Sequence, residues 1–167
     1  MKNLYDNKEF WVTRVAQAKS VGDPYYSVYR SGPTEWKRII NSRLSVINQE
    51  VKEEDKLLDA GCGFGWLSQF VKNEYTGVDQ TPALIEYGRE LYPGIKLVES
   101  TLQDLPFEDN SFDWIVCSCV KYGILESEEN GLIEEGRWDT IEKEFLRIAN
   151  GAIIWPSYSS DYEIIRR

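Results

Sequence analysis

Histidine is absent from this 167-residue chain, methionine occurs once and cysteine three times. Without histidine there is no serine–histidine or cysteine–histidine pair, so any proton transfer falls to carboxylates, Tyr, Lys or water. Cys62, Cys117 and Cys119 are odd in number and lack the paired spacing of a zinc site. A disulfide scaffold and structural zinc are therefore excluded as organising devices, and no metal is expected. No apolar run approaches the roughly 18 residues of a membrane span, and "MKNLYDNKEF" has no secretory apolar core. A cytoplasmic chain without membrane contact is expected. Internal repeats, low-complexity tracts and an obvious interdomain linker are also missing.

What is present is a globular composition: 42% hydrophobic and 13% aromatic, with six Trp and ten Tyr, which no disordered chain carries. The length suits one domain with a sizeable core. The net charge of −9 is unevenly spread. Residues 1–50 hold 8 Lys/Arg against 5 Asp/Glu, and residues 51–167 hold 11 against 23, so +3 precedes −12. An acidic body argues against wide contact with a phosphate backbone, while the basic, aromatic first fifty residues read as a helical cap on a core spanning 51–167.

Apolar spacing predicts a helix over 7–19 with Asp6 as its cap, and a second over about 34–49 with Pro33 in its first turn. From "KLLDA" onward, short apolar strands alternate with helical segments. Strands are expected at "YTGVD", "IKLVE", "FDWIVCS" and "AIIWP", with helices over 64–73, 82–91 and 138–149, the last closing on Asn150-Gly151 as a left-handed cap. Such alternation specifies an α/β fold, a parallel sheet wrapped by helices.

"KLLDAGCGFGWL" sits at the first strand-to-helix junction. Glycines there permit a tight bend and let backbone approach a ligand with no Cβ in the way. Gly61, Gly63 and Gly65 follow a G-x-G-x-G spacing, and the position where a dinucleotide fingerprint needs a small residue is Trp66. Asp79 ends the next strand twenty residues after Asp59, where a carboxylate can accept hydrogen bonds from a ribose diol. An adenosine-containing ligand without a pyrophosphate fits both features.

With "LLDAGCGFGWLSQF", "YTGVDQTPALIEYGRE" and "LQDLPFEDNSFDWIVCSCV" in this order, the chain resembles the class I S-adenosylmethionine-dependent methyltransferases over residues 57 to about 120. The resemblance implies a Rossmann-like doubly wound sheet, mostly parallel with an antiparallel final strand and helices on both faces. It implies S-adenosylmethionine as cofactor. By the same likeness Asp59 helps position the methionine end, Gly61, Cys62 and Gly63 lie beneath the cofactor, Asp79 holds the ribose hydroxyls, and Gln80 lies next to the adenine. Thr101 and Leu102 occupy the places of an acidic and a small residue beside the adenine; Leu102 can still offer its N–H, and Gln103 substitutes in part. Cys119 is placed to line the pocket through its carbonyl. "YEIIRR" looks like the family's final strand, joined to the fifth by "SYSSD", so six strands are expected with the family's sixth missing: a compact, C-terminally shortened member.

Acceptor binding then leans on the N-terminal fifty residues, with Tyr25, Tyr26, Tyr29, Arg30 and Trp36, or on the acidic segment after strand four. Lys121 and Tyr122 are the candidate bases, by their place after that strand. "CSCVKYG" has neither the Asp/Asn-Pro-Pro-aromatic run of adenine-amine enzymes nor the Pro-Cys of cytosine enzymes. A small-molecule acceptor is the leading expectation, with nucleic acid or protein still open and the oligomeric state unspecified. The competing readings are a non-catalytic S-adenosylmethionine-binding module or partner subunit, and another nucleotide binder, which Trp66 disfavours.

Overall fold

The computed structural model describes residues 7–28, 33–157 and 160–167. Five apolar segments form strands that lie parallel: β1 (Lys56–Ala60), β2 (Glu74–Asp79), β3 (Lys96–Glu99), β4 (Phe112–Ser118) and β5 (Ala149–Trp155). A sixth, β6 (Glu163–Arg166), runs antiparallel to β5, giving the order β3-β2-β1-β4-β5-β6. This is the mixed six-stranded sheet that the motifs implied. The chain moves outward from β1 to β3 and then returns to pair β4 with the other side of β1, with Ala60 opposite Cys117. That reversal opens a crevice beyond the C-terminal ends of β1 and β4, the usual ligand position in such sheets.

The helices are α1 (Lys8–Val21), α2 (Pro33–Glu50), α3 (Pro82–Leu91), α4 (Lys121–Glu129) and α5 (Arg137–Ile148). Side chains of successive strand residues point to opposite faces, so each strand feeds two cores. Leu57, Val116 and Ile153 pack with Trp36, Ile39 and Ile47 of α2. Leu58, Ile115 and Ile154 pack with Ile141, Phe145 and Ile148 of α5. Each fully buried side chain of this size contributes about 1.5–3 kcal/mol, which ties α2 to one face of the sheet and α5 to the other.

Local signals account for most boundaries. Phe10 N–H donates to Asn7 Oδ1 at 3.2 Å, so Asn7 caps α1, and Asp6 lies outside the described residues. Pro82 opens α3 with its ring at a position that needs no N–H donor. The stretch between α1 and α2 holds a 3-10 turn, Pro24–Ser27.

Three expectations are corrected. The helix over 64–73 is only a 3-10 turn, Trp66–Gln69, entered through Gly65 at φ 76°. Trp66 and Leu67 turn inward, Trp66 edge-on to Trp36 at 5.3 Å, and this packing outweighs helical periodicity. The acidic segment after β4 contains a helix, α4, which buries Gly123, Ile124 and Ser127. Glu128 there accepts the N–H groups of Gly136 and Trp138 through its carboxylate and caps α5. Finally, α5 passes into β5 through an extended Ala149, and Gly151 lies inside the strand, so no left-handed residue ends that helix.

Candidate cofactor site

The crevice beyond β1 and β4 is a cavity of about 140 Å³. Its floor is the glycine loop. Gly61 and Cys62 donate their N–H groups to Val78 C=O at 2.8 and 3.0 Å, which folds the loop back over the end of β2. Gly61 and Gly63 have φ of 76° and 58°, and a Cβ on either would fall 2.5 Å from Val120 Cγ2 or 2.8 Å from Val28 Cγ1. Glycine is required at both positions by the positive φ and by the close approach of those valine side chains.

Two carboxylates face the cavity. Asp79 accepts the N–H of Gly63 through Oδ2 and of Thr81 through Oδ1, both at 2.9 Å. The Thr81 hydroxyl is a third donor to it, and since a carboxylate offers about four lone-pair positions, acceptor capacity remains for a ligand hydroxyl. Burial raises its pKa, opposed by the Thr81 and Gly63 N–H groups and the Thr81 hydroxyl. Asp59 is 4% exposed and accepts the Tyr75 hydroxyl at 2.8 Å. Burial raises its pKa to about 7, the Tyr75 hydrogen bond opposing and the charge of Asp79 adding to the rise. Such a group ionises readily when a cation arrives beside it.

Of the residues expected at the cofactor, Asp59, Gly61, Cys62, Gly63, Asp79, Gln80, Leu102, Gln103 and Cys119 all line this cavity. Thr101 is exposed and is not among the lining residues; its neighbours Ser100 and Leu102 are. Lys121 and Tyr122 also lie outside the lining. Lys121 points away, paired with Glu142 and Glu163 and placed over the Trp138 ring, while Tyr122 is 57% exposed. Tyr25 packs edge-on to Phe64 at 5.6 Å, as core cover. Tyr29 and Arg30 lie outside the described residues.

The cavity wall includes Trp36, one of the residues expected on the acceptor side, and others given no role beforehand: Trp11, Val28, Trp66, Ser118, Val120, Ile124, Arg137 and Ile141. Trp11 and Trp36 come from the N-terminal helices, so the cap contributes wall to the site. The aromatic content of residues 1–50 was the available signal.

The residues present fit S-adenosylmethionine. A carboxylate with spare acceptors matches a ribose diol, Leu102 and Ile124 offer apolar surface for an adenine, and buried Asp59 suits an ammonium. Residues 58–134 match the family described as a methyltransferase domain. The demethylmenaquinone methyltransferase of Staphylococcus aureus is 38% identical over 74 residues, covering 39% of this chain and 31% of that protein. The chain thus matches less than a third of that relative's length. Among solved structures, PH0226 from Pyrococcus horikoshii superposes with a TM-score of 0.62 at 22% identity, over 78% of this chain and 64% of that one. A TehB-like S-adenosylmethionine-dependent methyltransferase from Corynebacterium glutamicum gives 0.55 at 23% identity, over 88% and 71%. Residues 58–134 thus match a methyltransferase domain, and the motif order and the fold support a class I S-adenosylmethionine-dependent methyltransferase, with S-adenosylmethionine as the cofactor implied.

Proposed function

We propose that residues 1–167 form one methyltransferase domain that moves a methyl group from S-adenosylmethionine to a small-molecule acceptor by in-line transfer. The observation that carries this reading is the convergence of Asp59, Gly61, Gly63 and Asp79 on one cavity. The name of the Staphylococcus aureus relative, a demethylmenaquinone methyltransferase, favours a small acceptor over a polymer.

When bound, the cofactor supplies an electrophilic methyl group on a sulfonium. The chain's own residues bind and orient. Asp79 holds the ribose hydroxyls, Asp59 balances the ammonium of the methionine end, and the glycine loop gives room beneath. Gln80, Leu102 and Gln103 lie toward the adenine. Trp11, Val28, Trp36 and Trp66 form an apolar wall that excludes water, and holding two reactants in line contributes most of the rate.

Calorimetric titration with S-adenosylmethionine, S-adenosylhomocysteine, NAD and ATP tests this reading. Binding of the first two is expected, weakened about tenfold or more in Asp79→Ala through loss of charge-assisted hydrogen bonds. Tighter binding of NAD or ATP would refute it. Cofactor binding with no S-adenosylhomocysteine formed from any acceptor would favour a non-catalytic binding module.

A further inference from the structure

Arg43 of α2 is 1% exposed, yet it lies 75 residues in sequence from the strand end it serves. Its Nε donates to Ser118 Oγ at 3.1 Å, and its Nη2 donates to the Ser157 carbonyl at 2.8 Å and lies 3.8 Å from Cys119 Sγ. Its guanidinium stands 5.0 Å over the Trp155 ring. Ser118 and Cys119 both line the cavity. A hydroxyl oxygen that accepts an N–H from a guanidinium keeps its own proton to donate, and the nearby charge strengthens that donation. Ser118 Oγ also lies 3.4 Å from Cys119 Sγ, where either atom can be the donor, and at the cavity wall this hydroxyl has a buried cation behind it.

Resting on the methyltransferase reading above, we propose that Ser118, backed by Arg43, is the acceptor subsite and binds an acidic hydroxyl or thiol in its anionic form. The remaining charged groups around the cavity are Asp59 from β1, Asp79 from β2 and Arg137 from α5, the last bidentate on Glu134. Arg43 itself faces Cys119 and, more distantly, Arg38. Burial lowers the Arg43 pKa, and an anion beside Ser118 offsets that cost. The acceptor gives its proton to solvent on binding. Its oxygen or sulfur then bonds to the methyl carbon as the carbon–sulfonium bond breaks, the electron pair staying on the cofactor sulfur. Anion and sulfonium become two neutral products, and no side chain has to take a proton.

The test uses 4-nitrophenol, whose ionisation is read by absorbance, bound to the full chain saturated with S-adenosylhomocysteine. The bound probe should ionise about one pH unit below the free one, the effect of an opposite charge a few ångströms away. Arg43→Lys should keep most of the shift, and Ser118→Ala, which keeps the cation but removes the hydroxyl that hydrogen-bonds the probe, should weaken probe binding and clearly reduce the shift with the fold intact. Arg43→Met should abolish it, and if that variant does not fold, Ser118→Ala decides. An unshifted or raised ionisation, no binding of the probe, or the same shift in Ser118→Ala overturns the proposal. A purely structural Arg43 would leave the probe unshifted in the wild type. Failure of S-adenosylhomocysteine to bind, seen in the same titration, is instead the failure of the cofactor reading and takes this proposal with it.

Discussion

Replacing Asp59 by asparagine should stabilise the ligand-free protein at alkaline pH while weakening cofactor binding. Asp59 is buried and accepts the Tyr75 hydroxyl, an interaction that the side-chain carbonyl oxygen of an asparagine at this position retains. Its pKa is about 7 in the folded chain against an ordinary 3.8. A raised carboxyl pKa means that the folded state disfavours the charge. Stability from the neutral form is complete below about pH 4 and is lost as pH rises toward 7. A gap of about 3 pH units, at about 1.4 kcal/mol each, amounts to about 4 kcal/mol above pH 7. Asparagine does not ionise, so the variant escapes the loss. Its advantage should grow by about 2 to 3 kcal/mol between pH 5 and pH 8, and its melting temperature at pH 8 should exceed the wild type's by roughly 10 °C. Thermal melts of both proteins at the two pH values measure this directly. In parallel titrations, S-adenosylmethionine affinity should rise from pH 6 to pH 8 in the wild type and stay flat in the variant, because only the wild type gains a carboxylate beside the ammonium. A variant less stable than wild type at pH 8, or a gap that does not change with pH, would refute the reasoning.

Two further substitutions separate the cavity from its surroundings. Gly63→Ala puts a Cβ 2.8 Å from Val28 Cγ1 at a φ of 58°, a strain of about 1–2 kcal/mol; cofactor affinity should fall about tenfold or more, and calorimetry showing no loss would mean that the loop does not touch the ligand. Tyr122→Phe alters a side chain 57% exposed and outside the cavity, so cofactor affinity should stay within about twofold of wild type and stability within about 0.5 kcal/mol; a large loss of affinity would place Tyr122 back at the site.

The central motifs were readable because their signals are short-range. "KLLDA" is apolar and carries a carboxylate near its end, the glycines follow at once, and Pro82 marks the start of α3; each feature acts on backbone within a few residues of itself, so β1, β2, α3 and β4 stand where the pattern put them. The 66–69 segment shows the limit. Its apolar spacing suits a helix, but Gly65 in a left-handed conformation and the Trp66–Trp36 contact select one 3-10 turn. Helix α4 was hidden by its acidity and by Gly123, and forms because Ile124 and Ser127 find a buried face.

From composition and local order alone came the class of fold and the absence of histidine chemistry, since strand, turn and glycine preferences are properties of neighbouring atoms; the residues expected at the cofactor came from the resemblance of the three motifs to a known family. Which distant side chains meet was settled by packing. Trp11 reaches the cavity from α1, which packs on α3, and Trp36 from α2, whose Ile39 and Ile47 share a core with β1, β4 and β5. Lys121 leaves it because Glu142 and Glu163 lie on the other side. Arg43 sits behind Ser118 because α2 crosses the end of β4, and no preference acting over a few residues could have announced a contact across so much intervening chain.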